Sequence, residues 1–201
     1  MSVFILEKEM EGFKLGKHEN TMGIRATANC ELIFEDCIVP KENLLGEEGN
    51  GFKIAMHTLD VSRIDIGAQA VGLAQGCLDE AIKFARERKQ FGRPIGDFQF
   101  IQGMIAEIAA KVDAARLLVY KSAYLKDTGT KRFSQESAIS KYYASEIAVD
   151  CARMAVQIHG GYGFSCDYPV ERYYRDAKVM EIYEGTSQVQ KIVIARALLN
   201  A

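Results

Sequence analysis

The run EIYEGTSQVQ, residues 181–190, holds an acid, Glu184, between an aromatic residue and Gly185, just ahead of what reads as a last amphipathic helix. Two kinds of chemistry suit a carboxylate there. It can complement the positive end of a helix that Thr186 or Ser187 caps. Alternatively, it can accept a proton from a ligand that the adjoining glycine lets approach closely. The run QIHGGYGF, 157–164, places three glycines in four positions behind a helix, which either cradles a phosphate or ends the helix and turns the chain. It is not the G-x-G-x-x-G fingerprint and no strand precedes it, so a Rossmann site is excluded. His159 within it reads as a turn histidine. RERKQFGRPIGDFQ, 86–99, gathers Arg86, Arg88, Lys89 and Arg93 around Phe91. These are either cations complementing a helix C-terminus or an anion site, since a guanidinium binds phosphate bidentately. LDVSR, 59–63, spaces Asp60 and Arg63 as a surface ion pair of little energetic weight.

The elements that must position these groups change character near Pro40. Before it lie short β-prone runs, SVFILE, GFKLG and CELIFEDCIVP, separated by Gly- and Asn-containing turns. The last run reads as one strand with Cys30 and Cys37 on opposite faces. After KENLLGEEGNG the apolar spacing turns helical. Phe52, Met56, Leu59, Ile66, Leu73, Cys77, Leu78, Ile82 and Phe84 predict one helix from about residue 51 to 89. Gly and Pro in QFGRPIGD break it. A second helix is expected over 98–127, with Ile101, Met104, Ile105, Ile108, Val112, Ala115 and Leu118 on its stripe. Ser134 and Ser137 offer helix-start chemistry for a third, which runs to His159 with Ile139, Tyr143, Ile147, Cys151, Met154 and Ile158 inward and Gly160 as its cap. After a short segment, VERYYRDAKVM, a last helix over 186–199 is expected to bury Val189, Ile192, Val193, Ala195 and Leu199. The fold class that follows is mainly α: an antiparallel four-helix bundle, 46–201, preceded by a fragment of a β domain, 1–45, too short of strands to stand alone.

Composition narrows the function. The 201 residues carry 25 basic and 27 acidic side chains, a net charge of −2, which gives no general attraction to nucleic acid or anionic lipid. Every apolar run is interrupted by charge before it could span a bilayer. The N-terminal apolar segment is too short and too acidic in its flanks for a secretory signal. None of the five cysteines forms C-x-x-C or zinc spacing, so no metal site is expected, and reduced thiols in an interior aqueous compartment are.

Order and spacing say more than any one motif. LDVSRIDIGAQAVGLAQGCLDEAIKFARERKQFGRPIGDFQFIQ, QIHGGYGF, YPVERYYRDAK and IYEGTSQVQ together resemble the C-terminal half of the acyl-CoA dehydrogenase flavoprotein family. GIRATANCELIFEDCIVPKENLLGEEGNGFKIAM resembles the end of that family's middle β domain, and the resemblance is strongest to short-chain, butyryl-CoA-type members. It implies that Glu184 is the base that removes the α-proton of an acyl-CoA thioester, and that its backbone N–H is one donor to the thioester oxygen. Some relatives carry the base before the arginine matching Arg63, where this chain has Ser62. The resemblance further implies that Thr186, Ser187 and Gln188 touch FAD in the same subunit. Arg88, Gln99, Gln157, Ile158, Gly160 and Gly161 would reach the FAD of a neighbouring one. Asp60, Arg63 and Gly185 would lie on the substrate side. It implies an acyl-CoA substrate, electron-transferring flavoprotein as electron partner, a homotetramer built as a dimer of dimers, and a cytoplasmic or mitochondrial-matrix location. A family member has a helical domain and a full β domain ahead of this region. Taken alone, the 201 residues are therefore expected to fold and self-associate, and to hold little flavin. A non-catalytic helical oligomerisation unit is the alternative reading.

Overall fold

The computed structural model describes residues 1–200 and divides into two compact units, Met1–Leu59 and Asp60–Ala201. In the first unit, β1 (Phe13–His18) pairs antiparallel with β2 (Cys30–Phe34). Phe13 lies opposite Phe34, and their rings stack at 5.0 Å. The run SVFILE contributes one bridge, Phe4 to Leu44, rather than a strand. β2 ends at Phe34, so Cys37 lies outside it and the expected two-faced arrangement with Cys30 does not arise. Leu15, Leu32, Phe34 and Ile38 remain exposed, as a two-stranded ladder without a covering layer must leave them.

Five helices follow: α1 (Gly51–Glu87), α2 (Gln99–Asp127), α3 (Ser134–His159), α4 (Val170–Met180) and α5 (Ser187–Leu199). α1 and α2 are joined by a hairpin of β3 (Lys89–Gln90) and β4 (Arg93–Pro94). Its turn residues Phe91 and Gly92 both have positive φ, +53° and +82°, as a two-residue hairpin turn requires. VERYYRDAKVM is thus a full helix, α4. Its apolar residues are few, but Val170, Ala177 and Met180 fall on one face and are buried.

One core runs through the helical unit. α3 is its centre and packs on α2, α4 and α5. Its buried stripe is made of small residues, Ala138, Ala144, Ala148, Ala152 and Ala155 among them, so neighbouring backbones come close. Gly67 marks the approach of α1: a side-chain carbon there would meet Val119 at 3.0 Å and the Ser140 backbone at 3.7 Å. Ser122 ties α2 to α3 by donating to the Glu136 carbonyl at 2.9 Å.

Three details depart from the sequence reading. Phe52 and Met56 are exposed. Phe133 stands at the N-cap of α3 without a side-chain cap bond, and Ser134 donates instead to Asp60. α5 buries Ser187 and Gln190, whereas Val189, Ile192, Ala195 and Leu199 are exposed and Val193 is half-buried. Gln190 bonds to two carbonyls of the preceding turn, which fixes the rotation of α5 and leaves its apolar residues uncovered in a single chain.

Candidate active site

Glu184 lies in the turn between α4 and α5 with φ +53°, followed by Gly185 at +94°. A left-handed conformation is costly for a residue with a Cβ, roughly 1–2 kcal/mol, so surrounding contacts must hold it. They do. Gln190 Nε2 donates to the Glu184 carbonyl at 3.1 Å and to the Gly185 carbonyl at 2.9 Å. Lys141 Nζ, reaching across from α3, donates to the Gly185 carbonyl at 2.7 Å. The turn closes through the Ser187 N–H on the Glu181 carbonyl, 2.9 Å.

The carboxylate itself is held by α1. Ser62 Oγ donates to Glu184 Oε2 at 2.6 Å. Helix capping is done by another residue: Thr186 is the N-cap of α5, its side chain accepting from the Val189 N–H. The hydrogen-bonded cap of α5 is therefore Thr186, and the Glu184 carboxylate is bonded to α1. Among the described residues no acceptor takes the Glu184 N–H. Tyr183, next to it, donates to Gln69 of α1. Burial pushes the Tyr183 phenol above its ordinary pKa, the Gln69 bond opposes this, and the Glu184 charge adds to it.

Asp60 and Arg63 are not a surface pair. Arg63 is only 7% exposed, donates to Asp60 Oδ1 at 2.8 Å, and keeps a buried Nε without a partner. Ser134 donates to the other Asp60 oxygen. Ser187, buried, and Gln190, fully buried, each carry an unpartnered side-chain oxygen, Oγ and Oε1. Gln188 is exposed.

A second set collects at the far end of α1. Arg88, Ile158, Gly160 and Gly161 line one cleft of about 590 Å³, together with Phe84, His159 and Tyr162. The Arg88 guanidinium lies 5.0 Å from the centre of the Tyr162 ring. Gly160, at φ +59°, ends α3, and nothing lies within 4 Å of where side chains on Gly160 and Gly161 would project. His159 stacks on Phe84 at 4.1 Å, and its Nδ1–H donates to the Ala155 carbonyl at 2.8 Å. The other ring nitrogen is buried and unpartnered. Burial holds this imidazole below its ordinary pKa, the Ala155 bond and Glu80 acting the other way. Gln99 and Gln157 are exposed and do not line the cleft.

Lys141 and Gln190 were not singled out in the sequence, nor was the holding role of Ser62. Lys141 had a signal: it falls at helical spacing between Ser137 and Ala144 on the buried stripe of α3. An ammonium on such a stripe needs a partner.

The sequence of the acyl-CoA dehydrogenase C-terminal domain matches residues 49–199. The chain belongs to the acyl-CoA dehydrogenase family. It is 56% identical over 200 residues to the acryloyl-CoA reductase (NADH) of Anaerotignum propionicum, covering 100% of this chain and 50% of that protein. It is 53% identical to the caffeyl-CoA reductase–Etf complex subunit CarC of Acetobacterium woodii, covering 100% and 52%. The structure of butyryl-CoA dehydrogenase from Megasphaera elsdenii superposes with a TM-score of 0.96 at 49% identity, over 98% of this chain and 51% of that one. The chain thus spans about half the length of the acyl-CoA dehydrogenase relatives it matches. Its mainly α architecture is that of the family's C-terminal helical domain. No helix among the described residues is long and apolar enough to cross a membrane, and no cluster there could hold a metal ion.

Proposed function

We propose that this chain is the base-bearing part of an FAD-dependent acyl-CoA dehydrogenase that interconverts a short-chain acyl-CoA and its trans-2-enoyl-CoA. The observation that carries the reading is the presentation of Glu184: a left-handed turn aims the carboxylate, and Ser62 holds it from a second helix. A base that must meet one carbon of a thioester gains from being fixed before the substrate arrives. Its own N–H, without an acceptor among the described residues, suits a developing oxyanion on the thioester. Gly185 leaves the backbone open beside the acid, and Asp60 with Arg63 forms a rigid, Ser134-braced wall on the substrate side.

The residues fit a flavin dinucleotide. Arg88 and the bare backbone of Gly160 and Gly161 form an anion-tolerant cleft, and the orphaned Ser187 Oγ supplies a further buried polar atom. When bound, FAD accepts the β-hydrogen as hydride. Thr186, Ser187 and Gln188 would hold the flavin beside Glu184. Arg88, Ile158, Gly160 and Gly161, with Gln99 and Gln157 at the margin, would hold another copy's. The helix supports that division: from Ser62 to Glu87, α1 rises roughly 38 Å at about 1.5 Å per residue, farther than one dinucleotide reaches. The uncovered apolar residues of α5 and Leu117, Tyr120 and Tyr124 of α2 favour burial between subunits, in a homotetramer.

The same base serves either direction. Glu184 takes the α-proton during dehydrogenation and returns it during reduction. Electron-transferring flavoprotein is the proposed redox partner, and cytoplasm or mitochondrial matrix the compartment. The test uses the whole protein that contains these residues. Purified, it is expected to be yellow and to turn butyryl-CoA into crotonyl-CoA with an artificial acceptor, bleaching its flavin band without air. A colourless protein inert to acyl-CoA thioesters would refute the reading and favour the oligomerisation unit.

A further inference from the structure

Lys141 is the largest side chain in the molecule with essentially no exposure, and it carries an ionisable group. Removing an ammonium from water is expensive without compensation. Here the ammonium donates to one main-chain carbonyl, that of Gly185, at 2.7 Å, and three carboxylates, Glu181, Glu184 and Glu146, favour its charge. Gln190 Nε2 donates to the same carbonyl and to the one before it. Three hydrogen bonds from two helices therefore converge on consecutive carbonyls of the two residues with left-handed backbones. Gln190 packs so tightly that its Nε2 lies 2.6 Å from where a side-chain carbon on Gly185 would be. Nothing in capping α5 requires this, because Thr186 does that separately.

We propose that Lys141 is a positioning residue for the base: with Gln190 it locks the Glu184–Gly185 turn that points the carboxylate at the substrate. The proposal rests on the reading of Glu184 as that base. Burial first, and the Arg63 charge on α1 after it, lower the Lys141 pKa to about 8. Glu181 at the end of α4, Glu184 in the turn and Glu146 on α3 oppose them. The clamp consequently weakens within an accessible pH range: an ammonium donates to a carbonyl more strongly than the neutral amine does.

The experiment compares wild type, Lys141→Met and Glu184→Gln in the whole flavoprotein. Methionine keeps an unbranched stem of similar volume and removes the donor. Two rates are read: kcat for butyryl-CoA, and deuterium uptake at the α-carbon of acetyl-CoA in D2O by NMR. Acetyl-CoA has no β-hydrogen, so that rate reports proton transfer without hydride transfer. Lys141→Met is expected to lower both rates by about 10- to 100-fold, the range for losing a hydrogen bond with a charged partner, with KM and flavin content nearly unchanged. In wild type the uptake should decline as pH rises through about 8, a limb Lys141→Met lacks. If Glu184→Gln abolishes uptake while Lys141→Met stays within threefold of wild type, the proposal falls and the base assignment stands. If Glu184→Gln leaves uptake intact, the base assignment falls and takes the proposal with it. Should Lys141→Met fail to hold flavin, the wild-type profile decides: an uptake rate that is flat from pH 7 to 10 overturns the proposal.

Discussion

Gly185→Ala is the sharpest perturbation of the turn that aims Glu184. Gly185 has φ +94°, where a residue with a Cβ is strained by roughly 1–2 kcal/mol. The new methyl would also stand 2.6 Å from Gln190 Nε2, so that amide must move. Moving it endangers bonds at 3.1 and 2.9 Å to the Glu184 and Gly185 carbonyls. Each contributes about 0.5–1.5 kcal/mol net, so the local penalty sums to about 2–5 kcal/mol. At about 1.36 kcal/mol per decade, the population with a correctly aimed carboxylate falls roughly 30- to 5,000-fold. The turn can relax without unfolding the bundle, so the urea midpoint should shift less than this figure implies. In the whole flavoprotein, kcat for butyryl-CoA and α-deuterium uptake should drop together within that range, flavin content being retained. A variant that keeps a third or more of wild-type kcat would refute the claim that this backbone geometry positions the base.

Other consequences are open to simple measurement. Gly72→Ala, at an exposed position of α1 where a methyl meets nothing within 4 Å, should stabilise the protein by about 0.5–1 kcal/mol in urea unfolding. His159 has a folded-state pKa below its ordinary 6.5, so the unfolded chain binds the proton more readily. Stability should therefore be lost as pH falls below 6.5, and His159→Phe, which can still stack on Phe84, should flatten that slope in thermal melts. Burial pushes the Cys77 and Cys151 thiols up, Cys151 to about 12. A maleimide at neutral pH should label the exposed Cys166 promptly, and those two only after urea is added.

Periodicity made the long helices legible. α1, α2 and α3 end within two residues of expectation because Gly, Pro and the small-residue stripe of α3 interrupt or sustain an unambiguous 3.6-residue pattern. α4 escaped notice because its exposed face is crowded with Arg and Tyr while three residues carry its burial. α5 is hard to read for the opposite reason: its apolar residues outnumber those it buries, because Gln190 rather than an apolar side chain fixes the face it packs. At the candidate site, Glu184 and Gly185 were readable as a pair. Their support was not, since Ser62 lies 122 residues and Lys141 44 residues away in sequence, and only the packing of α1 and α3 brings them to the turn. The Asp60–Arg63 spacing predicted the contact but not its burial, which depends on Ser134 arriving from α3.

The central claim is that the Glu184 carboxylate moves the α-proton. It is tested most directly by mixing butyryl-CoA anaerobically with the whole protein carrying Glu184→Gln and following the flavin band in a stopped-flow instrument. The amide keeps the shape and can still accept from Ser62 Oγ, so acyl-CoA should bind with nearly wild-type affinity. Bleaching should slow by orders of magnitude. Reduction at a rate near wild type, with butyryl-CoA bound, would contradict the account.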